Sequence, residues 1–86
     1  MGQVAADFGT RRTEVPISDN FTLSDLLKTL GSSHPAKFGD YFSEDLSPKR
    51  GTILLVNGSD YDVMGGLETP LGGGDEVVVV PTVSGG

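Results

Sequence analysis

The stretch Glu76-Val77-Val78-Val79-Val80, closed by Pro81, limits the folds open to this chain more than any other part of it. Four consecutive valines favour an extended backbone, because β-branched side chains are stiff at χ1 and pack well on a pleated surface. A near-continuous apolar run, as opposed to an alternating one, predicts a strand in the interior of a sheet. Pro81 has no N–H to give the ladder and so ends it. The residues that follow, Thr82-Val83-Ser84-Gly85-Gly86, are small and uncharged. The chain thus reads as a folded domain over 1–81 and a flexible tail over 82–86. Extended at ~3.3 to 3.6 Å per residue, those five residues reach roughly 17 Å, enough to enter a narrow cleft on another protein. With no side chain on Gly85 or Gly86, the Gly86 α-carboxylate is the only reactive group such a tail can deliver.

At 86 residues, 36% of them hydrophobic, the chain has material for one modest core and not for two. It has no cysteine, which excludes disulfides, a thiol nucleophile and thiolate-bound metal, and its single histidine leaves little for a zinc site. Neither a signal segment nor a membrane span is expected, so the reading is a cytoplasmic protein without a membrane partner. On that reading the glycosylation sequons at Asn20 and Asn57 are coincidental. A formal charge of −6 argues against nucleic acid and is compatible with a partner of basic surface.

Residues 1–9 show no clean period, since Val4, Ala5, Ala6 and Phe8 suit neither an alternation nor a helical stripe; a short strand is expected there. From Thr10 to Ile17, Thr13, Val15 and Ile17 alternate with Arg12, Glu14 and Pro16, the pattern of a half-buried strand with a proline suited to an edge. The strongest local signal comes next. Thr22 is placed as N-cap with Asp25 three residues on, Phe21 can staple onto Leu26, and Leu23, Leu26, Leu27 and Leu30 form one apolar stripe. Gly31 is suited to the left-handed position that stops a helix. Ser33-His34-Pro35 opens a second short helix carrying Phe38, Tyr41 and Phe42, followed by a polar loop over 43–51. The run Ile53-Leu54-Leu55-Val56 is then a central strand, Asn57-Gly58 a hairpin turn, and Tyr61 to Met64 its short returning partner. An irregular connection and the turn Gly72-Gly73-Gly74-Asp75 lead into the last strand. One amphipathic helix can cover only one face of such a mixed sheet, so the class is α+β.

The segment Ile53 to Gly58, then Leu67-x-x-Pro70-Leu71, Gly74-Asp75-Glu76-Val77 and Pro81 to Gly86, resembles the β-grasp sulfur carriers and small ubiquitin-like modifiers of archaea. That family includes the small subunit of molybdopterin synthase and the thiamine-pathway sulfur carrier. The resemblance covers the C-terminal 35 residues closely and the helix loosely; Phe8 to Val15 is similar to the family's run into its second strand, with Met1 to Ala6 left as a shorter first one. It implies a ubiquitin-like β-grasp fold. It also implies that an ATP-dependent, E1-like activating enzyme adenylates Gly86, with Val83, Ser84 and Gly85 recognised beside it, after which sulfur or a lysine amine displaces AMP. The chain would then be a substrate and carrier, not an enzyme, binding no cofactor itself while its activating enzyme consumes ATP. Its further partners would be the molybdopterin synthase large subunit or another sulfur acceptor, or the lysines of target proteins, with the carrier itself a monomer.

Strand parity adds a docking surface. If Val77 and Val79 face the helix, Val78 and Val80 face away from it, and Leu55 opposes Leu54 and Val56 in the same way. Leu55, Val78 and Val80 form the expected partner-binding patch, the face on which ubiquitin-like proteins are gripped. Other candidates carry less. The glycine-rich turn lacks the Gly-Lys-Ser/Thr ending of a phosphate loop. His34 has no serine or carboxylate at motif spacing, and Asp60 and Asp62 suit the wet side of a hairpin. Lys28, Lys37 and Lys49 are solvated charges first and conjugation acceptors second. Three functions stay open: a sulfur carrier, a protein modifier, and a β-grasp binding module whose glycine tail is incidental.

Overall fold

The computed structural model describes residues 2–8 and 11–81. Five strands form one mixed sheet in the order β2-β1-β5-β3-β4, where β1 is Gln3–Phe8, β2 Arg11–Pro16, β3 Thr52–Val56, β4 Ser59–Asp60 and β5 Glu76–Pro81. The valine strand β5 is the middle one, parallel to β1 on one side and antiparallel to β3 on the other. Its interior place is what an unbroken apolar run predicts. Strand β2 takes an edge, where Pro16 deprives no neighbour of a hydrogen bond.

Helix α1, Leu23–Ser33, lies across one face. Its start is a full capping box: the Asp25 N–H donates to Thr22 Oγ1 at 3.3 Å, and the Thr22 N–H donates to Asp25 Oδ2 at 3.0 Å. Leu23, Leu26, Leu27 and Leu30 are all buried, against Val15, Leu54, Val56, Val77 and Val79 from the sheet and with Ile17 partly buried at the margin. Helix α2, Pro35–Tyr41, begins with its proline in the first turn, where the missing N–H costs nothing. It brings Phe38, Tyr41 and the following Phe42 onto Phe8, whose ring meets Tyr41 edge-on at 5.5 Å between centroids.

Three local expectations are corrected. The first strand is six residues long and strictly alternating: Val4, Ala6 and Phe8 point into the core while Gln3, Ala5 and Asp7 do not. Gly31 does not stop α1, which runs on to Ser33 and closes with the His34 N–H donating to the Leu30 carbonyl at 2.8 Å. The glycine serves packing instead, since a Cβ there would lie 3.3 Å from the ring of Phe38. Tyr61 to Met64 is not a returning strand. The turn at Asn57 and Gly58, with φ of 51° and 86°, does make a hairpin, but its second arm is only Ser59–Asp60. Asp60 then accepts the Asp62 N–H through its side chain at 3.0 Å and so caps a helical turn, α3, Tyr61–Met64.

The leucine stripe is the largest block of this core, so Leu26→Ala should cost about 2 to 5 kcal/mol. Against a total of ~5 to 15 kcal/mol for a domain, the midpoint of chemical denaturation should fall visibly. An unmoved midpoint would mean that Leu26 does not bear on the sheet.

Candidate functional site

The parity of β5 divides the sheet. Val77, 0% exposed, and Val79 belong to the core, while Val78 and Val80 are half-buried on the other face. In β3 the same count buries Leu54 and Val56 and turns Leu55 outward. Leu55 sits directly opposite Val78. The three expected patch residues are therefore neighbours on the face that α1 does not cover. The sequence reading missed a fourth: Ile53, opposite Val80 and 40% exposed, closes the group into a two-by-two aliphatic square. It shares the parity of Leu55, so a count two residues back along β3 finds it.

Charged residues flank this square. On the same face, Arg12 of β2 pairs across with Asp7 of β1, Asp7 with Val78, Val78 with Leu55, and Leu55 with Asp60 of β4. One row thus crosses all five strands, apolar in the middle and charged at both ends. At the β2 end the guanidinium reaches Asp7 Oδ2 at 3.1 Å and Glu76 Oε2 at 2.8 Å. The hydrogen bond that Arg12 donates to Glu76, and then the charge of Asp7, raise the proton affinity of Arg12 above its ordinary value. At the β4 end, Tyr61, the first residue of α3, is partly buried, and its phenol is held above the ordinary tyrosine range first by that burial and then by the charges of Asp62, Asp60 and Asp45. Asp45 itself is held low by hydrogen bonds from Ser47.

The Gly86 carboxylate and its expected recognition elements Val83, Ser84 and Gly85 lie outside the described residues. What the structure places is their point of departure: Pro81 ends the middle strand opposite Thr52, next to Val80 and Ile53. The remaining candidates resolve locally. The turn before β5 is closed by the Gly72 N–H donating to Asp75 Oδ2 at 2.7 Å, with Gly74 at a φ of 91°. His34 is the junction of α1 and α2, against the ring of Phe8. Lys49 Nζ donates to the Gly39 carbonyl at 2.6 Å. A groove of about 560 Å³ lies at the end of the sheet away from Pro81, lined by Gly2, Ile17, Asp19, Leu71 and their neighbours. Among the described residues no group of three or more His, Asp or Glu could hold a metal ion, and no helix is long and apolar enough to cross a membrane.

The strand order, the helix on one face and the aliphatic square on the other define a β-grasp, ubiquitin-like protein, of the class that comprises sulfur carriers and small modifiers. Residues 3–86 match the ThiS family model, and the chain belongs to the ThiS family. The crystal structure of small archaeal modifier protein 1 from Haloferax volcanii superposes with a TM-score of 0.77 at 26% identity, over 99% of this chain and 100% of that one. Ubiquitin-related modifier 1 of Encephalitozoon cuniculi is 28% identical over 75 residues, 87% of this chain and 78% of the relative. The Amycolatopsis orientalis BexX/CysO complex contains the same fold, with a TM-score of 0.76 at 23% identity over 96% and 99% of the two chains.

Two measurements check the geometry of this face. Val78→Lys, which puts a flexible cation opposite Asp7, should change stability by less than about 1 kcal/mol. Val77→Lys should cost more than about 3 kcal/mol by burying an unpaired charge. Equal midpoints for the two variants would mean the parity is wrong. The phenolate absorbance of Tyr61, isolated by comparison with Tyr61→Phe, should appear at higher pH than that of free tyrosine. Because the folded-state value is raised, the stability Tyr61 contributes is present below the unfolded value of about 10 and is lost as pH rises through the folded one. Tyr61→Phe should flatten that alkaline loss.

Proposed function

We propose that this chain is a ubiquitin-like carrier whose Gly86 carboxylate an E1-like enzyme adenylates. A carboxylate is a poor electrophile until one oxygen becomes a leaving group. Attack of the Gly86 carboxylate on the α-phosphorus of ATP expels pyrophosphate and gives the acyl-adenylate. Sulfide that displaces AMP leaves a thiocarboxylate, whose sulfur then serves molybdopterin formation, thiamine formation or tRNA thiolation; a lysine amine that displaces AMP leaves an isopeptide bond to a target protein. The carrier contributes access: Gly85 and Gly86 pass through a slot too narrow for a Cβ, and the square of Ile53, Leu55, Val78 and Val80 beside Pro81 is the grip. The ATP and the catalytic groups belong to the activating enzyme.

The observation that carries this reading is that the family match extends through Gly86, so the small-residue tail is within what the chain shares with the ThiS family. Membership of that family favours the sulfur carrier; the likeness to modifiers of Haloferax and Encephalitozoon supports conjugation as a second use of the same end. The BexX/CysO complex supports a protein partner for a chain of this fold. The alternative, a binding module with an incidental tail, gives no reason for the Gly85-Gly86 pair within the family match.

Intact mass of the protein from its native cell tests the reading. A species ending at Gly86 with one sulfur in place of one oxygen is the expected result for a carrier, and lysine-linked adducts for a modifier; neither in any fraction would leave only the module. Deleting Gly85 and Gly86 should abolish adenylation by the activating enzyme while leaving the unfolding midpoint within ~0.5 kcal/mol. Full activation of the deleted form would contradict the proposal.

A further inference from the structure

The two charged borders of the aliphatic square differ. At the β1–β2 side, the carboxylates of Asp7 and Glu76 share a cation within the chain, the guanidinium of Arg12. At the β4 side Asp60, directly opposite Leu55, makes no ion pair among the described residues. Its carboxylate is nevertheless fixed, because Oδ1 accepts the Asp62 N–H at 3.0 Å. Asp62 and Asp45 add to the negative field on this side, since both bear on the Tyr61 ring along with Asp60. The patch is therefore apolar and has at its β4 rim an oriented carboxylate, Asp60, with no cation paired to it among the described residues.

We propose, on the strength of the activation reading above, that the activating enzyme covers this face with an apolar surface that carries a lysine or arginine placed to meet Asp60. A purely apolar partner would desolvate the carboxylate without a counter-charge, which costs more than the burial of one aliphatic side chain returns. A second copy of this chain is disfavoured for the same reason, because it brings its own Asp60 and a formal charge of −6. Nucleic acid is disfavoured by its phosphates. The occupant is thus a protein of opposite local charge. A rim pair of this kind acts chiefly on specificity and on the rate of encounter, so it selects the correct enzyme before the tail is threaded.

The test uses the full chain and the ATP-dependent activating enzyme of its own source organism, with affinity measured at low and at raised salt. Asp60→Asn removes the charge and keeps a good cap for α3. It should bind about three- to tenfold more weakly at low salt, with a flatter salt dependence, and retain the wild-type unfolding midpoint. Asp60→Ser, also a capping residue, should reproduce the loss. Asp19→Asn makes the same change of net charge at the far end of the sheet and should stay within about twofold of wild type. Wild-type affinity and salt dependence in Asp60→Asn would overturn the proposal. So would an equal loss in Asp19→Asn, or self-association of the wild type through Val78 in the absence of enzyme. Failure of the wild-type chain to be bound and adenylated at all would instead overturn the activation reading, and it is distinguishable because it appears without any change at Asp60.

Discussion

Everything in this molecule depends on where β5 lies and which way its valines point. As the middle strand, paired in parallel with β1 and antiparallel with β3, it has no free edge, and each of its side chains must belong to one face or the other. Val77 and Val79 complete the floor under the leucine stripe of α1. Val78 and Val80 are then forced onto the opposite face by the two-residue period of a strand. The same four valines thus build the core and the uncovered face of the sheet, and the strand that does both runs to Pro81.

This arrangement suits the work of the carrier proposed above. The core fixes the sheet, the sheet fixes the aliphatic square, and Pro81 ends the ladder beside that square. A partner that covers Ile53, Leu55, Val78 and Val80 has the root of the tail at a set distance and direction. The charged ends of the five-strand row add orientation. Arg12 ties β2 to β5 across β1, and Asp60, held by its cap, marks the other side.

How much of this was legible in the sequence follows from the range of the interactions involved. The start and the buried face of helix α1 were legible because its capping box spans four residues and its stripe eight, so the cause lies within the segment itself. Strand β5 and the outward set Leu55, Val78 and Val80 were legible because parity is a local count. Strand β1 was obscured by Ala5 beside Ala6, two small residues of which only one is buried; pairing with β5 decides that, and β5 is some seventy residues away. Gly31 had the right residue type for a helix stop, but the Phe38 ring from the next helix determined its role. Tyr61 to Met64 has strand-forming residues, yet a single carboxylate at Asp60 turned it into a helical turn. The ionic row could not be read at all, because Arg12 and Glu76 are 64 residues apart and meet only through the register of three strands.

The central claim is that the uncovered face of the sheet, beside Pro81, is where the activating enzyme docks. Methyl-resolved NMR of the isotopically labelled chain, titrated with that enzyme, tests it most directly. Shift changes and broadening are expected at the methyls of Ile53, Leu55, Val78 and Val80, with Leu26, Leu27 and Val77 in the core little affected. Perturbation confined to the exposed side chains of Val63 and Met64 on α3, with the square unchanged, would contradict it.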